Sequence, residues 1–308
     1  MEKKQFFVPS SDGVHSLAGV VYLPDSEPRG LFHAVHGMTD HIARYDRILT
    51  DMAAEGYIAY GYDHLGHGET ARDPSELGYF AKKRGGELLA RDVAAFSEAV
   101  RAEYGTPALP LYLMGHSMGS FVVRLAAERF ITPDRLIVMG TAGPNPAAVP
   151  GLALVGLLHC LFGEKHISPL LEKIAFGGYN RRFGGDLPDD PKRWLSTDEA
   201  VRRTYYADPF CMFKFTVSAM GDLIRLIKRT NTAAWYRALP ATLPILLVSG
   251  EDDPVADYGR GVRKVARRLE AEGKTVTCKL YPGARHEILN DFTYEEVRAD
   301  ILAFLRAE

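Results

Sequence analysis

The stretch that most constrains this chain of 308 residues is Leu111-Tyr112-Leu113-Met114-Gly115-His116-Ser117-Met118-Gly119-Ser120. An apolar run of strand length ends in Gly-x-Ser-x-Gly, and a helical pattern follows at once. A strand that becomes a helix within so few residues leaves no room for side chains beside the serine. Gly115 and Gly119 supply that room. The turn lifts the Ser117 hydroxyl off the end of a sheet, where another molecule can reach it. The same five residues also occur as an incidental glycine-rich turn, so the rest of the chain must decide.

On both flanks the chain alternates short apolar runs with helical patterns. Leu17–Leu23, Gly30–His36, Tyr57–Tyr62, Arg135–Met139, Pro244–Ser249 and Thr275–Tyr281 read as strands. Helical spacing is predicted over 44–55, 87–104, 121–130, 258–272 and 294–306. That rhythm makes βαβ units and a mostly parallel sheet, whose strands are continuously apolar because helices cover both faces. From 144 to 236 the strands stop. Proline-rich turns, an apolar helix-like run (Val149 to Phe162), a basic-aromatic stretch (Tyr179 to Phe183) and a helical segment (Phe213 to Thr230) take their place. We expect an α/β core formed by 1–143 and 237–308, interrupted by a helical cap at 144–236. An insertion placed after a strand's carboxyl end lies where ligands bind in open α/β sheets, and so covers the site.

A serine hydroxyl is a weak nucleophile near neutral pH and needs a base, which is oriented in turn by a buried carboxylate. After an elbow of this kind the chain order is serine, acid, histidine. His286 sits in Tyr281-Pro-Gly-Ala-Arg-His286, between the last strand and the last helix. The preceding strand ends in Gly250-Glu-Asp-Asp253-Pro254, which offers three acids. Neighbours in an extended segment point to opposite sides, so only one can face His286. Asp253, held extended by Pro254, is the first choice and Asp252 the second. The negative oxygen that forms in acyl transfer needs preorganised N–H donors. Met118, at the helix N-terminus, supplies one. Met38, in Val35-His36-Gly37-Met38 at an earlier strand end, is the expected second.

Other classes are disfavoured. The formal net charge of −2 gives no reason to bind nucleic acid. Cys160, Cys211 and Cys278 are odd in number and widely spaced, which fits neither a disulfide framework nor a metal site. Asp63-His64-Leu65-Gly66-His67-Gly68 reads as a shaped turn rather than a ligand set, because no further ligand completes it. No phosphate-cradling glycine motif is present, so no metal and no cofactor are expected. The first residues lack the apolar run of a leader, and the longest apolar stretch is short of a membrane span. The expected location is cytoplasmic.

Taken together, the chain resembles the α/β-hydrolase superfamily, and within it the monoacylglycerol lipase and lysophospholipase group of serine hydrolases. The resemblance is carried by His36-Gly-Met-Thr-Asp-His41 with Arg44-Tyr45, by Asp63 to Gly68, and by Gly115 to Gly119. It is carried further by Asp208-Pro209, Gly250-Glu-Asp-Asp253 and Gly283-Ala-Arg-His286. It implies a mostly parallel central sheet flanked by helices, with a helical cap inserted after the sixth strand. The group's G-x-x-D pattern supports Asp253 over Asp252. The implied activity is hydrolysis of single-chain acyl esters beneath a mobile apolar cap. Thr39 and Asp40 replace a Gly and a Glu of the group's usual oxyanion loop, a change that leaves the Met38 amide in place. Ala147 stands where true monoacylglycerol lipases carry a glycerol-holding Glu, which widens the reading to esterases and lysophospholipases. His36, Gly37, Arg44 and His116 are the expected substrate contacts from these motifs, with Leu152 and Val155 from the cap.

The cap run Val149 to Phe162 is apolar nearly all round, so burying one stripe leaves another exposed. It either packs wholly inside the cap or forms an acyl entrance that touches a membrane or micelle transiently. The substrate expected is a small-molecule acyl ester, and an apolar tunnel gains about 0.8 kcal/mol for each buried CH₂. Arg181 and Arg182 read as an attractor of anionic head groups or as a solvated face. Two rival readings remain. An aminopeptidase of the same fold would draw its acidic pocket from Asp186, Asp189 and Asp190. A catalytically silent binding protein would have no reason to retain nucleophile, acid and base together.

Overall fold

Eight strands form one sheet in the computed structural model, which describes residues 1–307. They are β1 (Glu2–Pro9), β2 (Ser16–Leu23), β3 (Leu31–Val35), β4 (Ile58–Tyr62), β5 (Leu111–His116), β6 (Arg135–Met139), β7 (Ile245–Gly250) and β8 (Val276–Tyr281). Their order across the sheet is β1-β2-β4-β3-β5-β6-β7-β8. β2 pairs antiparallel with both β1 and β4, and every other pairing is parallel. This is the mostly parallel sheet that the α/β rhythm predicts.

Ten α-helices accompany the sheet among the described residues. They are α1 (Asp46–Ala54), α2 (Gly85–Tyr104), α3 (Met118–Arg129), α4 (Ala148–Phe162), α5 (Pro169–Phe176), α6 (Glu199–Ala207), α7 (Val217–Arg229), α8 (Ala233–Ala238), α9 (Arg260–Ala271) and α10 (Tyr294–Arg306). Alternate side chains of a strand point to opposite faces, and each face has its own helices. Leu31 and Val35 of β3 join a cluster with residues of α2, α3 and α9. Phe32 and Ala34 join a second cluster with residues of α1 and α10. Both faces being covered, the central strands β3, β4, β5 and β7 are buried along their whole length.

The one strand not anticipated is β1. It is an edge strand with only Val8 buried, and its place comes from pairing along all of β2 rather than from its own apolar content. Two helix starts also move. A 3₁₀ turn at Ile42–Tyr45 precedes α1, and α3 begins at Met118, directly after Ser117 rather than at Phe121.

Helices α4 to α8 lie between β6 and β7. They do not form a separate body. α7 packs on α2 and α3 as well as on α4. Val155 and Leu158 of α4, Leu171 of α5 and Leu226 of α7 belong to the same apolar cluster as the α2 and α3 residues. A small cluster of Leu195, Tyr205 and Cys211 anchors the stretch around α6. At the return to the core, the fully buried Arg124 guanidinium lies 4.2 Å from the centre of the Trp235 ring on α8. Arg124 donates to Thr141 Oγ1 at 3.1 Å and to the Thr230 carbonyl, while Trp235 Nε1 donates to the Arg124 carbonyl at 2.8 Å. A buried cation is costly unless its donors are used; Nη1 and Nη2 each find an acceptor, Nε finds none, and the Trp235 ring covers the guanidinium face.

The chain leaves β3 toward β4 on one side and reaches β5 on the other, so the topology switches direction at β3. A crevice opens beyond the carboxyl end of such a switch. The arrangement predicts that Trp235→Ala, which empties the space over Arg124, lowers unfolding stability by about 3–5 kcal/mol. A urea titration followed by circular dichroism measures it.

Candidate active site

Ser117 lies at the mouth of this crevice with φ 54° and ψ −118°. A non-glycine residue in that region is strained, and strain of this kind gathers at functional positions. The neighbours enforce it. A Cβ on Gly115 would stand 2.4 Å from the Gly119 carbonyl oxygen, and one on Gly119 would stand 2.3 Å from that of Val35. Both obstacles are backbone, so neither position accepts a side chain unless β3, β5 or α3 moves. The Ser117 amide donates to the Met139 carbonyl at 2.9 Å, tying the turn to β6.

The loop after β3 closes against the serine. A Cβ on Gly37 would meet Ser117 Cβ at 3.1 Å. Among the described residues, neither the Met38 amide nor the Met118 amide donates to a protein acceptor. Met118 opens α3, where the helix dipole adds positive potential. Unused amides beside a strained serine are the donor arrangement that a developing oxyanion requires.

His286 follows β8 and Asp253 follows β7. Asp253 Oδ2 accepts from His286 Nδ1 at 2.8 Å, and both side chains are buried. The other Asp253 oxygen accepts from the Val255 amide at 2.8 Å, which fixes the carboxylate's orientation. Asp252, the second choice from sequence, is only half-buried and its side chain makes no such contact. Burial works against an imidazolium at His286. The charge and hydrogen bond of Asp253 outweigh it and raise the His286 pKa above its ordinary value.

Ser117, His286, Met38, Met118, Gly37 and His116 line one cavity of about 690 Å³, within the roughly 300–1,000 Å³ of small-molecule sites. Its apolar wall comes from Phe121, Phe176, Met212, Phe213, Phe215 and Leu223. Its polar wall includes Thr39, Glu287, Lys192 and Tyr205.

His36, Arg44, Leu152 and Val155 do not line this cavity. His36 spends both ring nitrogens on backbone: Nδ1 donates to the Gly37 carbonyl, and Nε2 accepts from the His64 amide, each at 2.9 Å. It therefore braces the loop after β3 from behind. Arg44 is held in a two-pronged pair with Glu287 at 2.9 and 2.6 Å and also reaches Asp40 at 2.9 Å. Val155 is buried against Gly221 of α7, and Leu152 is half-buried on the same helix. His116 does line the cavity, but its Nε2 is engaged with the His286 carbonyl at 3.1 Å. Burial keeps it neutral, with its pKa pushed down to about 4. The Tyr45 hydroxyl stands between His116 Nδ1 at 3.0 Å and Asp40 Oδ2 at 2.9 Å, and Asp40 also accepts from the Gly37 amide at 3.2 Å. One polar chain thus joins the loops after β3, β5 and β8.

Sequence reasoning missed the segment that clasps the histidine loop. The His286 amide donates to the Trp194 carbonyl at 3.4 Å, and the Glu287 amide to the Leu195 carbonyl at 2.8 Å. Arg285 Nη1 donates to the carbonyls of Arg193 at 2.6 Å and Ser196 at 2.8 Å. The Trp194 ring centre lies 5.1 Å from that of His286. Nothing in the local pattern Lys192-Arg-Trp-Leu195 distinguishes it from an ordinary loop, since its partners are about 90 residues away.

The Asp63 to Gly68 turn is built as a turn. Asp63 Oδ1 accepts from the Ile42 amide at 2.7 Å and Oδ2 from the Glu69 amide at 2.8 Å. His64 and His67 are buried, which lowers their pKa values and keeps the rings neutral. Among the described residues, the group close enough to share an ion is His41, Asp208 and Cys211. There His41 Nε2 already bonds Asp208 at 2.8 Å, and burial pushes the Cys211 thiol up, so it stays protonated. Arg181 and Arg182 are exposed and do not line the cavity, and Arg182 is stacked 3.6 Å from the centre of the Tyr258 ring. Asp186 and Asp190 are taken by Asn180 and Arg202, Asp189 is exposed, and none of the three lines the cavity.

Comparison with known proteins agrees with this architecture. Residues 26–293 match the family described as serine aminopeptidase, S33. The chain is 29% identical to the monoacylglycerol lipase of Mycolicibacterium smegmatis, over 97% of this chain and 98% of that one. It is 27% identical to the human monoglyceride lipase, over 85% of this chain and 77% of that one. A solved thermostable carboxyl esterase from Bacillus coagulans, in complex with glycerol, superimposes with a TM-score of 0.91 at 29% identity, over 99% of this chain and 98% of that one. Matched across most of its length by the family and in fold by an esterase, the chain belongs to the serine aminopeptidase S33 family of α/β-hydrolases and is a serine ester hydrolase.

Proposed function

We propose that the chain cleaves single-chain acyl esters, such as monoacylglycerols or lysophospholipids, through a Ser117–His286–Asp253 triad and an acyl-enzyme. The observation that carries this reading is the meeting of the strained Ser117, the His286–Asp253 pair and two free amides at one largely apolar cavity. Ser117 Oγ attacks the ester carbonyl while His286 Nε2 takes its proton. The carbonyl oxygen becomes an oxyanion held by the Met38 and Met118 amides. His286 then returns the proton to the departing alcohol oxygen as the old ester bond breaks. Water, deprotonated by the same histidine, attacks the acyl-serine and releases the acid. The acyl chain lies along the apolar wall, where roughly 0.8 kcal/mol per buried CH₂ favours longer chains.

Residues 144–236 act in this reading as a cap over a core of 1–143 and 237–308. Helix α4 buries Ala148, Val155 and Leu158 and leaves Val149, Leu157, Leu161 and Phe162 exposed. Ile167, Leu170 and Ile174, from α5 and the turn before it, add to that exposed apolar set. A patch of this kind marks an interaction surface, and its chemistry suits a membrane or micelle that holds the substrate. No helix among the described residues is long and apolar enough to cross a membrane.

Four outcomes follow from these assignments. Ser117→Ala abolishes labelling by a fluorophosphonate and lowers turnover of p-nitrophenyl laurate roughly 10⁴-fold or more; retained labelling overturns the nucleophile. The base works only when neutral, so kcat/KM falls as pH drops through the His286 pKa, at a midpoint above the ordinary 6.5. Asp253→Asn removes the charge that raises it and moves that midpoint down in a pH–rate profile. Joint Leu157→Asp and Leu161→Asp substitution reduces cosedimentation with phosphatidylcholine vesicles, and costs more activity on micellar than on dissolved ester.

A further inference from the structure

Lys192 lines the cavity from the segment that clasps the histidine loop. Its Nζ donates to the Tyr205 hydroxyl at 2.9 Å and to Thr39 Oγ1 at 3.4 Å. Tyr205 in turn donates to the Thr39 carbonyl at 2.8 Å. Thr39 directly follows Met38, so the ammonium is fastened one residue from a proposed oxyanion donor. Among the described residues, no carboxylate lies within 4.0 Å of Nζ, although cations elsewhere on the chain are widely paired. The four acids that line the same cavity are already paired: Asp40 and Glu287 with Arg44, Glu172 with Lys214 at 2.8 Å and Asp257 with Arg260 at 2.7 Å.

An ammonium out of bulk water without a counter-ion is costly, and such groups either lose their proton or acquire an anion. Burial pushes the Lys192 pKa down to about 8. Its hydroxyl partners satisfy two N–H directions and neutralise no charge. The missing counter-charge has one accessible source, the molecule that enters the cavity. The acyl chain belongs with the apolar wall formed by α3, α5 and α7, which leaves the alcohol portion of the ester beside the loops after β3 and β8.

We propose that the alcohol portion of the preferred substrate carries an anionic oxygen group, phosphate or carboxylate, which pairs with Lys192 beside Thr39 and Tyr205. This rests on the reading of Ser117 as the nucleophile, and it narrows the substrate from acyl esters in general to anionic ones. Lys192 contributes to binding in this account and takes no part in proton transfer.

The full chain is assayed on three esters that share a lauroyl group: monolauroylglycerol, monolauroylglycerol phosphate and lauroyl lactate. The first is neutral, the second carries a phosphate and the third a carboxylate. Wild-type kcat/KM is expected to favour at least one anionic ester by roughly tenfold or more, and the better of the two identifies the anion. In Lys192→Met that ratio falls toward one, chiefly through KM, and Lys192→Arg restores part of it. A wild-type preference for the neutral ester overturns the proposal without need of any variant. So does an equal loss on all three esters in Lys192→Met, which makes the lysine a distant counter-charge to Glu287 and Glu172. Fluorophosphonate labelling of the same samples separates the two levels. Labelled enzyme without anion preference overturns the ion pair alone, whereas unlabelled, inactive enzyme overturns the nucleophile and the ion pair together.

Discussion

Arg44 holds the site together. Its guanidinium is gripped by Glu287 through two hydrogen bonds and by Asp40 through a third. Glu287 is the residue after His286, and Asp40 accepts from the Gly37 amide beside Met38. One planar cation therefore connects the loop after β8 to the loop after β3, which lie more than 240 residues apart in sequence. Burial alone would raise the Asp40 pKa, yet Arg44 holds it well below the usual carboxylate range, and the two acids raise Arg44 in return. Such a network contributes little net stability, because desolvation offsets most of the attraction. Its effect is geometric: two prongs and a fork leave the loops few alternative positions.

The sheet provides the other half of the geometry. The proposed donors, nucleophile, acid and base come from the carboxyl ends of β3, β5, β7 and β8, which are all parallel to one another. A parallel arrangement aims four loops at one crevice, and the reversal of direction at β3 leaves that crevice open. Strain at Ser117 is then affordable because β5 and α3, both buried, fix the chain on either side of it.

Much of this was legible in the sequence, for identifiable reasons. Continuous apolar runs and helical spacing are local, so β3 to β8 and α10 were found within about a residue. The elbow is local too, and Asp253 could be preferred over Asp252 from Pro254 and the G-x-x-D pattern. The strand β1 was missed because an edge strand owes its existence to a partner rather than to its own burial. The substrate contacts were the weakest part. Arg44 and His36 sit inside suggestive motifs, but whether such a side chain faces a ligand or braces a loop depends on Glu287 and His64, and no spacing rule links them. Lys192 and Trp194 carried no pattern, since their role depends on where the inserted helices return to the core.

The insertion's grip on the histidine loop has an evolutionary consequence. In many enzymes of layered design, the element that selects the substrate can diverge while the reacting groups stay unchanged. Here the backbone of 193–196 accepts hydrogen bonds from Arg285, His286 and Glu287. A change of loop length or path in that stretch shifts the imidazole as well as the wall of the cavity. New specificity is therefore more readily reached by side-chain exchange within the existing insertion than by replacing it, and swapping the whole segment between relatives carries a penalty in turnover even when the fold survives.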